Sequence, residues 1–477
     1  MKSKLILLTL LLSLSSLTGC GKPKQPEEES ESPLSGTIAE RLEQLDCIDQ
    51  FYEINHGKYF KKVYNIRFTQ YIDHNNKALG TFTQHIELGF NDLSAPTVYV
   101  SSGYMIQSNN SSYPQNENEL AFLLNCNYLF VEHRYFGNSL PVNIDYDDAH
   151  TWDYLNTQQA ASDAHNIVKQ FKRVLEGKWL STGMSKGGMT TELYAYYYPG
   201  DMDLYVPYVA PFCNSFYDER MVKFINEEAG DVQYGEEIAS KMREDVLAFQ
   251  IKLLEYRDTL APRFYNAGNN YSSYATVDSL YDAAIIEFGI GFWQYYQEYN
   301  DIVNCLNMEE TTTTQIEQKQ NRFYYTLTSS VEPNDLSVNN AYTPYYIQAY
   351  QELGNYCYDY SYIREALPEN VTLSVKEEDE QDLAYKLALS DVELGLGHKE
   401  LIGPKINEML KTTKDQFIMI YGSSDPWYAV RPDDVKDRDN VSIYVNPHYP
   451  HTTNISNFDE AVTNEILTKI KTILDIN

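Results

Sequence analysis

The pentapeptide Gly183-Met184-Ser185-Lys186-Gly187, followed by Gly188, narrows the possible fold more than any other stretch of this sequence. Residues 178–181 directly before it read as a brief strand. Residues 186–198 directly after it read as a helix, closed by Pro199-Gly200. A serine between a strand and a helix, flanked by glycines, is the pattern of a strained elbow that exposes Oγ at the edge of a sheet. The glycines suit a turn with an unusual backbone and a helix packed too closely for a Cβ. Ser185 is therefore the expected nucleophile. The backbone N–H of Lys186 is the expected oxyanion donor, and its side chain is expected in solvent.

The surrounding pattern fits a sheet that could carry such an elbow. Residues 64–71 and 81–88 alternate around Asp73-His74-Asn75-Asn76, which predicts a β-hairpin. Residues 97–101 and 128–131 are short apolar runs, as in strands buried on both faces of a parallel sheet. Residues 117–125 and 157–175 read as helices, and 204–209 as a further strand. From 215 to 405 long helical stretches take over, at 219–228, 235–257, 279–299, 342–353 and 383–394. Strand signals return at 416–421 and 441–445, and a last helix is expected at 458–474. Alternating strands and helices predict an α/β fold with a mostly parallel sheet. The expected divisions are a core in two parts, 37–214 and 406–477, with a helical cap inserted at 215–405.

A serine nucleophile needs a base and an orienting carboxylate, and in such a sheet they follow in the order serine, acid, histidine. Asp425 comes just after the strand at 416–421 and is the expected acid. His448 and His451 both follow the next strand, and position in the chain leaves both open as the base. The loop after 97–101 holds Gly103-Tyr104, where the N–H of Tyr104 is a second oxyanion candidate.

Several blocks carry a family resemblance. Val131-Glu132-His133-Arg134-Tyr135-Phe136-Gly137 resembles the Glu-His-Arg-Tyr-Tyr-Gly segment of the lysosomal Pro-X carboxypeptidase family. Residues 154–163, Tyr-Leu-Asn-Thr-Gln-Gln-Ala-Ala-Ser-Asp, resemble another segment of that group. Ser185-Lys186-Gly187-Gly188, Tyr208-Val209-Ala210-Pro211 and Asp425-Pro426-Trp427 resemble the secreted bacterial tripeptidyl-aminopeptidase family of serine peptidases. The resemblance implies an α/β-hydrolase core with a helical cap and an exopeptidase activity on peptide substrates, with no cofactor and no metal. It places the catalytic histidine four residues before an isoleucine, as in His451-Thr452-Thr453-Asn454-Ile455, and so favours His451. For an aminopeptidase, Glu132 is the expected partner of the substrate ammonium, and Trp427 could line a pocket for a flat ring. A carboxypeptidase acting after proline, an esterase, or a non-catalytic peptide-binding lipoprotein remain alternatives.

The N-terminal segment bears on location. Lys2 and Lys4 precede an apolar run at 5–14 that ends in Leu17-Thr18-Gly19-Cys20. This predicts a lipoprotein signal over 1–19, acylation of Cys20, and export with membrane anchoring in a bacterial cell envelope, on its periplasmic or cell-surface side. Residues 20–36 are expected to be an acidic, flexible linker. The other cysteines are odd in number. Cys126 is expected as a small buried hydrophobe, and a bridge between Cys305 and Cys357 is possible.

The formal charge of −31 argues against binding a nucleic-acid backbone, because no excess of lysine and arginine exists to release counterions. The charge is uneven. Residues 215–405 hold 33 acidic and 14 basic side chains, together with 21 of the 42 tyrosines. An acidic cap over the site would attract cationic peptide N-termini.

Overall fold

The computed structural model describes residues 32–54, 59–106, 119–295, 299–432 and 434–476. The predicted signal segment, Cys20 and most of the acidic linker lie outside these residues. The described chain is an α/β structure built on one nine-stranded sheet, with many helices.

In chain order the strands are β1 (Ile48–Ile54), β2 (Lys62–Tyr71), β3 (Thr81–Phe90), β4 (Thr97–Ser101), β5 (Asn127–Val131), β6 (Trp179–Met184), β7 (Leu204–Tyr208), β8 (Tyr217–Asp218), β9 (Asn355–Tyr356), β10 (Phe417–Gly422) and β11 (Val441–Asn446). The main sheet runs β1-β2-β3-β5-β4-β6-β7-β10-β11, and β8 and β9 form a separate two-stranded ribbon. The six strands from β5 to β11 in that order are mutually parallel. The hairpin β2–β3 pairs antiparallel over its full length and continues antiparallel into β5.

The central strands are buried on both faces, as their apolar runs predict. In β10, Phe417, Met419 and Tyr421 join the core on one side of the sheet, while Ile418 and Ile420 join the core on the other. This is the two-residue alternation of a pleated strand with no wet face. The helices Thr157–Phe171 and Lys186–Tyr197 cover the first side; Glu460–Ile473 covers the second.

Between β7 and β10 the chain builds a mainly helical region with its own apolar core. That core is centred on the helices Glu236–Glu255 and Val277–Tyr295, with Phe249, Ile285, Phe288 and Phe323 fully buried. Three sequence expectations change here. The stretch at 342–353 is an α-helix, Thr343–Gln348, that passes into a π-turn at Ala349–Leu353. The stretch at 383–394 breaks at Ser390, whose hydroxyl caps the short helix Asp391–Leu394. No Cys305–Cys357 bridge forms: both are free thiols, and Cys305 Sγ instead packs 3.5 Å from Thr326 Oγ1. Cys126 is buried, as expected.

Candidate active site

Strand β6 delivers Ser185 at its C-terminal end, and the helix Lys186–Tyr197 starts at the next residue. Ser185 holds φ 56° and ψ −121°, a region that costs a non-glycine residue about 1–3 kcal/mol. The neighbouring glycines permit the tight elbow. A Cβ on Gly183 would lie 2.4 Å from the Gly187 backbone, and one on Gly187 would lie 2.3 Å from the Ser101 carbonyl oxygen. The serine N–H is fixed by the Tyr208 carbonyl at 2.9 Å, and the side chain stays partly exposed toward a cavity.

Asp425 follows β10 and His451 follows β11, so both arrive at the same C-terminal edge of the sheet as Ser185. His451 Nδ1 lies 2.7 Å from Asp425 Oδ2, and both residues are buried. Asp425 Oδ1 accepts the Trp427 N–H at 3.0 Å, which orients the carboxylate. With Nδ1–H donating to Asp425, Nε2 is the nitrogen left for a proton acceptor role. The His451 backbone N–H donates to the Gln294 carbonyl at 3.2 Å, so the helical region helps seat the histidine loop. His448 is exposed on the surface, its carbonyl accepting from Gln233 Nε2.

Tyr104 follows β4 at the same edge. Its carbonyl accepts the His133 N–H at 3.0 Å and the Ser102 hydroxyl at 2.6 Å, while its own N–H has no acceptor among the described residues. The Lys186 N–H opens a helix and has no intrahelical acceptor. Two donors are thus available beside Ser185.

The Lys186 side chain departs from its expected exposure. It is buried, Nζ donates to the Gly103 carbonyl at 2.7 Å, and the ammonium sits 5.5 Å from the Tyr104 ring and 5.2 Å from the Phe136 ring. Burial lowers its pKa to about 7. The amine is drawn inward because its long stem follows the close packing of the Gly103 loop on the elbow.

Glu132 does not reach the cavity. It is buried, Oε1 accepts the Asn138 N–H and the Ser139 hydroxyl at 2.8 Å each, and Oε2 accepts the Ile106 N–H at 2.9 Å. Its oxygens hold two loops, and Glu132 does not line the cavity over Ser185. Arg134 is paired with Asp163 through two 2.7 Å bonds, which ties the 131–141 segment to the 154–163 segment. Those two blocks of family resemblance are thus scaffold that meets behind the site.

A cavity of about 530 Å³ opens over Ser185 and His451. Ser102, Tyr104, Lys186, Met189, Pro211 and Trp427 line it from the core. Gln294, Tyr295, Tyr342 and Tyr345 close it from the inserted region. Trp427 lines the cavity, 6.4 Å from the His451 ring. The tyrosines were not singled out from sequence; their only signal is the crowding of that residue type between 215 and 405. Among the described residues no group of three or more His, Cys, Asp or Glu side chains could hold a metal ion.

Residues 32–471 match the PS-10 peptidase S37 family. The chain belongs to that family. As a family S37 peptidase it is a serine peptidase, a hydrolase. It is 30% identical over 292 residues to the prolyl tri/tetrapeptidyl aminopeptidase of Streptomyces mobaraensis, a match covering 60% of this chain and 56% of that relative. It is 34% identical over 76 residues to the lysosomal Pro-X carboxypeptidase of Bos taurus, 15% of each chain. The S37 chain thus spans about half the length of the first of these relatives and a smaller part of the second. Among solved structures it resembles a proline iminopeptidase of Mycobacterium smegmatis, with a TM-score of 0.39 at 11% identity, covering 85% of this chain and 98% of that one.

Proposed function

We propose that this S37 peptidase removes short peptides, tripeptides foremost, from the free N-terminus of peptide substrates through Ser185, His451 and Asp425. The observation that carries the reading is the buried 2.7 Å His451–Asp425 contact at the mouth of the cavity that holds the elbow serine.

In this reading His451 Nε2 takes the proton from Ser185 Oγ as the oxygen attacks the scissile carbonyl. The carbonyl oxygen becomes an oxyanion held by the N–H groups of Lys186 and Tyr104. Collapse breaks the C–N bond, and His451 returns the proton to the leaving amine. Water then attacks the acyl-enzyme by the same route and releases the N-terminal fragment. Asp425 keeps the imidazole in the productive tautomer and stabilises its charged form.

The described cavity lining holds no carboxylate, and what it says about polarity is the lack of a free cation for a carboxypeptidase. A reader of a C-terminal carboxylate needs a cation, and the one lysine or arginine among the described lining residues is Lys186, already committed to Gly103. The acidic balance of 215–405 points the same way.

Location belongs to the same proposal. Among the described residues no helix is long and apolar enough to cross a membrane. The Leu17-Thr18-Gly19-Cys20 motif supports a lipid anchor on Cys20 that holds the enzyme outside the cytoplasm. Replacing Cys20 by Ser should move the protein from the membrane fraction to the soluble one.

A fluorophosphonate that labels serine nucleophiles tests the chemistry. The wild type should be labelled at Ser185 and inactivated, and Ser185→Ala should neither label nor turn over. Retained turnover in Ser185→Ala would overturn the assignment.

A further inference from the structure

With Glu132 occupied elsewhere, the carboxylate that meets a substrate ammonium has to come from another element. The helix Val277–Tyr295 supplies one. Its last residues, Gln294 and Tyr295, line the catalytic cavity, and the Gln294 carbonyl holds the His451 N–H. Seven residues back, just under two turns and on the same face, lies Glu287.

Glu287 has an unusual environment for its helix. Ile286 and Phe288 on either side are fully buried in the apolar core, while Glu287 keeps partial solvent contact although protein surrounds it. Glu287 is thus enclosed yet still within reach of solvent. Oε1 accepts the Tyr356 hydroxyl at 2.8 Å and the Tyr358 hydroxyl at 2.5 Å. No lysine, arginine or histidine among the described residues pairs with it, and the one charge that reaches it is the carboxylate of Asp335. An enclosed carboxylate with neutral donors and no counter-ion is costly alone and is relieved by a cation.

Ring contacts link Glu287 to the catalytic cavity. The Tyr356 ring packs edge-on against Trp427 at 5.7 Å, and Trp427 lines the cavity 6.4 Å from the His451 ring. The indole N–H of Trp427 is buried with no hydrogen-bond partner among the described residues. It is therefore an unused donor along the path from Glu287 to Ser185.

We propose that Glu287 binds the α-ammonium of the peptide substrate, with Asp335 adding negative charge, and that the length of helix between Glu287 and Gln294 sets the released fragment at three residues. Seven helical residues rise about 10.5 Å. Three residues of extended chain span at most about 10–11 Å. A tripeptide with its ammonium on Glu287 brings its third carbonyl to the Gln294 end of the helix, where His451 and Ser185 stand. A dipeptide falls short and a longer fragment must buckle. This inference rests on the aminopeptidase reading above.

Steady-state kinetics of Glu287→Gln on peptidyl-anilides tests it. The wild type should prefer a free tripeptidyl-anilide over its N-acetyl form and over a dipeptidyl-anilide. Loss of a charge-assisted bond should raise KM for the free tripeptidyl substrate about 10–100-fold, collapse the free-to-acetyl ratio toward one, and abolish the preference for three residues. Fluorophosphonate labelling at Ser185 reports separately on the catalytic end and on folding. A labelled Glu287→Gln variant with the wild-type free-to-acetyl ratio would overturn the Glu287 assignment and leave the nucleophile standing. A wild type that does not label would instead overturn the reading beneath it. If Glu287→Gln does not fold, Asp335→Asn reads the same ratio at an exposed position, with a several-fold fall expected; an unchanged ratio there contradicts the proposal.

Discussion

The Lys186 ammonium donates a 2.7 Å hydrogen bond to the carbonyl of Gly103. One residue thereby touches both halves of the proposed oxyanion site: its backbone N–H belongs to the elbow, and its side chain grips the loop that carries the Tyr104 N–H. Gly103 itself, at φ +72°, lies so close that a Cβ would meet the Gly187 nitrogen at 2.5 Å. In the proposed mechanism this contact fixes the spacing of the two oxyanion donors.

Lys186→Met should be slower yet more stable. Burial lowers the amine from its ordinary pKa of 10.5 to about 7. The unfolded chain then binds a proton that the folded chain releases between those values, so this group's penalty is full below pH 7 and fades as pH rises toward 10.5. The shift corresponds to about 5 kcal/mol, against about 1–3 kcal/mol for the lost bond to Gly103. Thermal unfolding at pH 7 should show a higher Tm for the methionine variant, with the gain shrinking at pH 9–10. Its kcat should fall about 10–100-fold as the Gly103 loop loosens.

Asp425→Asn should retain the fold and lose about four orders of magnitude in kcat, because the amide favours the wrong imidazole tautomer. His451→Ala should lose comparable activity. His448→Ala, on the exposed side of the same loop, should stay within about twofold of wild type. Parallel rate measurements on the three variants check the assignment.

Asp163→Ala should act on stability. The carboxylate meets Arg134 through two 2.7 Å bonds and His74 through one of 2.8 Å, and Arg134 is fully buried. Removing it strands a buried guanidinium, at a cost of about 3–5 kcal/mol. Urea unfolding should show that loss, while the folded fraction keeps most of its kcat/KM.

Glu192 gives a pH signature. It lies on the nucleophile helix, is fully buried, and neither carboxylate oxygen has a partner among the described residues. Burial pushes its pKa well above 4.5, so the folded chain keeps a proton that the unfolded chain releases. Its contribution is fully present below about pH 4.5 and is lost as pH rises above it. Glu192→Gln should flatten the decline of stability between pH 5 and 8, read as urea midpoints across that range.

The central fold was legible because strands such as Thr97–Ser101 and Phe417–Gly422 are buried on both faces and leave unbroken apolar runs. The edge strand Ile48–Ile54 escaped notice because it is half solvated, carries Asp49, Gln50 and Glu53, and shifts register between Ile48 and Gln50. Chain order brought Ser185, Asp425 and His451 to one edge, since each follows a parallel strand. Side-chain direction was less readable. Glu132 sits at a strand end that suggests a ligand, but Asn138 and Ser139 bend back to claim it. Glu287 lies in a largely apolar helix that reads as core, and only the three-dimensional meeting of Tyr356, Tyr358 and Trp427 shows its link toward the catalytic cavity.

The most direct measurement is the identity of the products from one peptide offered in two forms, with a free and with an acetylated N-terminus, followed by mass spectrometry. The account predicts an N-terminal tripeptide from the free form, little cleavage of the acetylated form, and no product from either with Ser185→Ala. Release of residues from the C-terminal end, or equal cleavage of both forms, would contradict it.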